Sequence, residues 1–519
     1  MNSERRNVDK LSQPDRNSTV EAAGQRIDLC VIREPGITAM SARKREICWN
    51  YGIPPREAPY AVASNLCLTL QPGKIILLRG PSGSGKSSIL EAVADRSTGA
   101  VWVGRNRGAS NRAVVDLVAP GRPLATAMEI LTVCGLGEPR LWVRQFRDLS
   151  DGERFRASLA SAVGEALNAS PRPVILCDEF TAILHRRLAR ALAHNLRKLI
   201  SRHRLSLIAA TAHDDVVDDL QPDQIVSLKG PGEEVTLSPR RPVQRPASLT
   251  SRVKIEMGCV RDYHAFGPMH YRHRDNLGFV DRVFLLRETA TRDPLGILVF
   301  AHAPIELSLR NLATRGRFVR NVRRLNRELR ILRRLVMHPD VRGCGLGHWF
   351  VRHTLPRVGV RFIECLAAMG EVNPVFERAG LTRVGPCALP KGRMKLLERL
   401  RKFKVDPFAP DFVEQVERYP RVRALVEQTV FDWAGALHGK AKRKVRRWTD
   451  EQVAQSFRQL IGRPPVYYLW DREGEFPAAN EDKPVDASKS PKRPPRAAEE
   501  DLDSTRTMQE KRRHRPDQR

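Results

Sequence analysis

A chain of 519 residues, 41% hydrophobic and 29% charged, can bury the cores of two or three domains, which excludes a fibrous or wholly disordered protein. Its net charge of +30 is uneven: residues 1–240 hold 33 Lys and Arg against 26 Asp and Glu, and residues 241–519 hold 56 against 33. The excess in the second half predicts an anionic partner, of which nucleic acid is the commonest. Nine cysteines without a C-x-x-C pair, a polar N-terminus and no run of 18 apolar residues argue against a disulfide framework, a zinc site, a secretory signal and a membrane span, so a soluble, cytoplasmic protein is expected.

Residues 1–25 read as a disordered polar arm. From 26 to 232 the apolar runs KIILLRG, PVILCDEF and LSLIAATAH alternate with the helical stretches SSILEAVADR and LARALAHNLRKLI, the pattern of an α/β domain with a mostly parallel sheet. The first run enters GPSGSGKSS, a P-loop made of Gly80, Ser82, Gly83, Gly85, Lys86, Ser87 and Ser88. Its glycines let backbone N–H groups wrap a phosphate at a helix start, Lys86 reaches the terminal phosphates of ATP, and the Ser87 hydroxyl ligates Mg²⁺. PVILCDEF ends in two carboxylates: Asp178 holds Mg²⁺ through water, and Glu179 polarises the attacking water.

Between these two motifs lies LSDGERFR, residues 149–156, at the start of a helix. With these motifs in this order, residues 45 to 232 resemble the ABC-type ATPase family. The resemblance implies that Ser150, Asp151, Gly152 and Glu153 form a signature loop acting in trans on ATP held by a partner. It also implies that His213, in IAATAHDD, is the switch histidine. One such domain in the chain implies an ATP-dependent homodimer. An aromatic stacks on adenine in the family; Tyr51 in WNYG stands near that place, with Tyr60 as its rival. His185 occupies the position where the family usually has an aspartate. The interval from Lys86 to the signature is shorter than in transporter ATPases, and Gln145 lies too near the signature for the family's Q-loop. An ATP-binding subunit of a transporter is therefore the weaker alternative.

KGPGEEVTLSPRRPVQRPAS spans a linker, residues 233–250. From 251 to 400, DRVFLLRE and LGILVFAHA predict an antiparallel pair, ILRRLVMHP a strand, VRGCGLGHWF a glycine-rich turn into a helix, and RFIECLAAM a strand followed by NPVFERAGL. This combination resembles the GNAT N-acetyltransferase fold. There, backbone N–H groups matching Arg342, Gly343, Cys344, Gly345, Leu346 and Gly347 hold the pyrophosphate of acetyl-CoA at a helix N-terminus, without lysine or metal. The strand end around Val336 would serve the pantetheine arm, and Asn373 opens the stretch resembling the family's second motif.

Phe376 stands where many GNAT enzymes keep a tyrosine acid, and a phenyl ring donates no proton. Water or Cys365 would then protonate the thiolate, and Glu364 or Glu371 would take the proton of an amine. The alternative is a non-catalytic acyl-CoA sensor or a nucleic-acid-binding module. Basic clusters at 311–334, with nine arginines and one acid, and at 438–448 would meet nucleic acid. Residues 401–472 read as a mainly helical extension ending in PPVYYLW, and 473–519 as a disordered charged tail. The fold class expected is α/β: an ABC-type P-loop nucleotide-binding domain followed by a GNAT-like mixed α/β domain, an order that resembles ABC ATPases fused to a predicted acetyltransferase.

Overall fold

Unbroken apolar runs become the centre of the first domain because both faces of a parallel sheet are covered. The structure, a computed structural model, describes residues 24–105, 111–230, 235–239, 249–270, 277–387, 393–437 and 448–475. Strands β1 (Gln25–Arg33) and β2 (Tyr60–Leu70) form an antiparallel ribbon, bridged by an excursion carrying helix α1 (Ala42–Tyr51). Next come β3 (Ile75–Arg79), β4 (Ala100–Trp102), β5 (Val174–Cys177), β6 (Ser206–Thr211), β7 (Gln224–Ser227) and β8 (Thr236–Pro239). They form one sheet in the order β4-β5-β6-β3-β7-β8, parallel except for β8.

The expected linker is corrected in part, since Thr236–Pro239 pairs along β7. Residues 240–248, the arm 1–23 and the tail from 476 lie outside the described residues. Helix α2 (Lys86–Arg96) follows β3, and the helical layer contains α3 (Leu124–Val133) and α4 (Asp151–Asn168). Helix α5 (Arg186–His203) follows β5 and packs against the second domain.

That domain is a second sheet: β9 (Val253–Gly258), β10 (Val280–Glu288), β11 (Pro294–Ala301), β12 (Leu329–Met337), β13 (Phe362–Ala367), β14 (Thr382–Pro386) and β15 (Val466–Asp471). Its order is β14-β15-β13-β12-β11-β10-β9, antiparallel except between β12 and β13. The predicted antiparallel pair is β10–β11. PPVYYLW, expected to close a helical extension, instead supplies the strand between β13 and β14. The helices between 393 and 461 are thus an insertion within this domain, with a core of its own that includes Phe412, Val416, Val426 and Phe457.

The inserted strand completes a buried polar cluster. Arg310, fully buried, donates from Nε to Glu364 Oε2 at 2.9 Å and from Nη1 and Nη2 to the carbonyls of Ile305 and Pro304. The Tyr467 hydroxyl donates to the same carboxylate at 3.0 Å. Glu364→Ala should destabilise the domain by about 3–5 kcal/mol, read by denaturant unfolding, because Arg310 would keep a buried charge without its counter-ion.

A buried histidine marks the seam between the domains. Asp219, 2% exposed, accepts from Arg190 of α5 and from Arg252 at the start of the second domain, each at 2.8 Å. His194, also 2% exposed, sits within their field; burial, reinforced by Lys198 and Arg252 and opposed by Asp219, lowers its pKa to about 4. The unfolded chain binds this proton near pH 6.5 and the folded chain only near 4, so His194 makes stability fall as pH drops through that window. Thermal unfolding should show about 3 kcal/mol less loss between these pH values in His194→Asn than in the wild type.

Candidate nucleotide site and glycine-rich turn

Register brings the ATPase motifs to one edge. In the parallel sheet Arg79 stands opposite Thr211 and Ser227, and Cys177 opposite Ala209, so Gly80, Asp178 and His213 all leave the carboxyl ends of neighbouring strands. Ser87 Oγ donates to Asp178 Oδ2 at 2.6 Å, joining two oxygen ligands suited to Mg²⁺. The other Asp178 oxygen accepts the Glu179 N–H at 2.9 Å. Glu179 and Thr181 both hold positive φ, 48° and 63°, a strained path for non-glycine residues directly after β5.

Lys86 curls back on the loop, its ammonium donating to Gly80 O at 2.8 Å and Pro81 O at 2.7 Å. Burial lowers its pKa, and the charges of Asp178 and Glu179 act the other way. The Ser84 hydroxyl is buried without a partner. Ser82 and Gly83 are exposed at the loop tip, and Ser88 follows Ser87 in the first turn of α2. These features fit a phosphate: an orphaned buried donor, a curled lysine and two loop glycines, Gly80 and Gly85, with no room for a side chain. A Cβ on Gly85, which caps α2 at φ 94°, would lie 2.2 Å from Val62 Cγ1, and one on Gly80 2.3 Å from Leu228 O.

Val62 lies on β2, and Tyr60 is two residues earlier on the same strand face, packed on the core beneath α2. Tyr51 ends α1 with 73% of its surface exposed. Tyr60 therefore lies on the strand that passes the P-loop, and Tyr51 at the exposed end of α1. His213 is half-buried just past β6, its N–H on Thr211 Oγ1 at 3.1 Å.

The signature residues cap a helix. Ser150 accepts from the Glu153 N–H, and Glu153 returns the bond to the Ser150 N–H at 2.9 Å, while exposed Asp151 pairs with Arg154. Gly152 packs on the segment after Glu179, its Cβ position 3.4 Å from Leu184 Cδ2. Among the described residues no hydrogen bond or ion pair joins residues 150–153 to residues 80–88 of the same chain.

The second turn faces the first domain. Arg342 donates to Met337 O at 3.0 Å within its own domain, to Met269 O at 2.7 Å, and across the seam to Gly137 O at 3.0 Å. Its side chain thus grips carbonyls. Gly343 abuts Thr132 O, buried Cys344 lies against Ala191 of α5, and Gly345, at φ 82°, caps helix α6 (Leu346–Thr354). Gly347 packs beside Val375 and Met337; Asn373 is exposed, its N–H on Met369 O. Val336 is buried in β12 opposite Ile297. The β12–β13 pairing ends at Leu332 and Cys365, five residues before β12 does, so the two strands part beside the turn.

The acid and base candidates change. Glu364 is sealed under Arg310 and Tyr467 and reaches no substrate. Glu371 pairs with Arg383 at 2.8 Å. Cys365 is buried, and burial pushes its thiol pKa well up. Buried Phe376 packs 5.5 Å from Tyr468, ring to ring, and the Tyr468 hydroxyl donates to Glu377 Oε1 at 2.7 Å. Sequence reasoning missed Tyr468, whose place follows only from the β15 pairing.

The arginine cluster at 311–334 is partly paired with acids. Arg317, Arg324 and Arg327 converge on Glu328, and Arg330 pairs with Asp281. Arg315, Arg320 and Arg323 are exposed. The cluster at 438–448 lies outside the described residues except for Trp448.

No protein-family model matches the chain. It is 32% identical over 189 residues to the aliphatic sulfonates import ATP-binding protein SsuB 2 of Paracoccus denitrificans, a match covering 33% of this chain and 73% of that protein. It is 29% identical over 184 residues to the cytochrome c biogenesis ATP-binding export protein CcmA of Rhodospirillum rubrum, covering 30% and 75%. Among solved structures, the dimeric form of a bacterial ABC transporter cassette aligns with 41% of this chain and all of its own, at 19% identity and a TM-score of 0.29. Through its first domain the chain belongs to the ABC-type ATPases. No helix among the described residues is long and apolar enough to cross a membrane.

Gly85→Ala should abolish ATP binding, measured by equilibrium titration, because the added methyl collides with Val62 at a left-handed position.

Proposed function

We propose that the protein is an ATP-hydrolysing homodimer whose second domain binds the diphosphate of an acyl-coenzyme A. The observation that carries the first part is the Ser87–Asp178 pair with Glu179 beside it. The backbone of residues 83–88 with Lys86 would hold the ATP phosphates, and Ser87 with Asp178 the Mg²⁺, which supplies charge neutralisation. Glu179 accepts the proton of the attacking water, and His213 orients the terminal phosphate. Ser150 to Glu153, of which Ser150 and Asp151 are exposed and none is bonded to its own P-loop among the described residues, serve the partner's nucleotide.

The acyl-coenzyme A reading is supported by the sheet order, with its one parallel pair parting beside a glycine-rich turn. The N–H groups of Cys344 and Gly345 have no acceptor among the described residues. The positive charges of Arg378, Arg352 and Lys198 all act on half-buried His348 in the first turn of α6, a field suited to a diphosphate at a helix N-terminus. Transfer of the acetyl group to an amine, on nucleic acid or a bound protein, lacks a free base in Glu364 and a proton donor in Phe376. Sensing of the acyl-coenzyme A is the reading the geometry favours. Any anionic macromolecule would meet exposed Arg315, Arg320 and Arg323.

A second reading, the ATP-binding subunit of a membrane transport complex, draws on the import and export names of the relatives. Co-purification with an integral membrane subunit would establish it.

Glu179→Gln should lower the ATP turnover rate by about 10²-fold or more while ATP still binds; turnover at the wild-type rate refutes its role. In the same assays acetyl-CoA should bind the full chain, and labelled acetyl-CoA should leave no label on nucleic acid or protein. Transferred label would restore the transferase reading.

A further inference from the structure

The segment Pro339–Arg342 touches the ATPase at two separated places, and each leads to a part of the nucleotide machinery. The first route starts at Arg342, whose Nη1 donates to Gly137 O at 3.0 Å. Two residues before Gly137, Gly135 O accepts from Arg156 Nη1 at 2.6 Å. Arg156 lies one turn into α4 and also donates from Nε to Gly152 O at 2.9 Å, the central glycine of the signature loop. A single bridging residue therefore connects the loop gripped by Arg342 to the signature.

The second route starts at Asp340, which accepts from Arg187 Nε at 2.9 Å. Arg187 also pairs with Asp293 at 3.1 Å, so two carboxylates of the second domain fix it. Its neighbour Arg186 donates to Thr181 O at 3.2 Å and to Asp215 at 2.7 Å. Thr181 is two residues past Glu179, in the same positive-φ stretch of backbone. The two routes meet again where Gly152 packs on Leu184.

Packing leaves these contacts no slack. A Cβ on Gly137 would stand 2.8 Å from Arg342 Cβ, and one on Gly343 2.8 Å from Thr132 O. Asn195 of α5 donates to Arg342 O at 3.3 Å, closing the seam. Close-packed surfaces transmit displacement instead of absorbing it. We infer that the segment Pro339–Arg342 is a positioning element for ATP hydrolysis, holding the signature loop through Arg342 and the segment after Glu179 through Asp340. The inference rests on the ATPase reading of Gly152 and Glu179 and is independent of acyl-coenzyme A. Simple adhesion between domains would use the same bonds, but its loss would lower stability without changing turnover per folded molecule.

The test uses the full chain with Arg342→Ala, Arg342→Lys and Asp340→Asn, each checked for folding by thermal melting. ATP affinity is measured by equilibrium titration, and kcat and KM by phosphate release. Arg342→Ala and Asp340→Asn should lower kcat about tenfold or more, with ATP affinity within about twofold of wild type. Arg342→Lys, which keeps the charge and one donor direction, should recover part of the loss. Asp340→Asn keeps the shape of the side chain and carries the test if Arg342→Ala does not fold. Folded variants with wild-type kcat, or with losses confined to melting temperature, would overturn the inference. Glu179→Gln run alongside separates the two failures: if it too hydrolyses ATP normally, the ATPase reading itself is wrong.

Discussion

Helix α5 is buried on nearly every side, and that constraint organises the molecule. Leu188, Ala189, Leu192, Leu196 and Leu199 face the core of the ATPase sheet, while Ala191 belongs to the core of the second domain. A helix covered all round joins two hydrophobic cores. Its polar residues are drawn into the seam: Arg187 and Arg190 meet carboxylates, Asn195 meets the Arg342 carbonyl, and His194 stays neutral. The helix begins eight residues after Asp178, so the element that docks the second domain also ends the segment carrying Asp178 and Glu179.

The two glycine-rich turns differ in what surrounds them. GPSGSGKSS opens at a sheet edge beside two carboxylates and leaves its lysine on loop carbonyls that a phosphate would displace. VRGCGLGHWF opens beside two parting strands, with its arginine already committed to the neighbouring domain. A guanidinium has five donors, and here they satisfy carbonyls that burial would otherwise orphan. The turn thus has a structural duty apart from any ligand.

Much of the first domain was legible in order. Its strands β3, β5 and β6 are short, largely apolar runs, and Gly80, Asp178 and His213 stand just past their ends. In the second domain β9 went unrecognised, and the strands from β10 to β13 were legible. Beyond β13 the pattern failed: β15 is separated from β14 by an insertion of helices, and a five-residue apolar run, Val466–Trp470, alone does not distinguish a strand from a buried helix end. That Tyr60 shares β2 with Val62, which packs on Gly85, was likewise not legible, because it depends on which strand passes the P-loop. The arginines at 311–334 read as a free basic patch because Glu328 is one acid among nine arginines, yet folding brings three of them to it and a fourth to Asp281.

By itself the sequence determined the P-loop, the two carboxylates at a strand end and the capped signature helix, since local spacing and strand direction suffice for each. Tertiary structure alone decided that β15 enters the second sheet and that Glu364 is sealed beneath Arg310. It alone decided that Arg342 reaches across the chain to Gly137. The reason is contact range: these outcomes depend on partners 54 to more than 200 residues away, whose meeting is set by how two cores close on one helix.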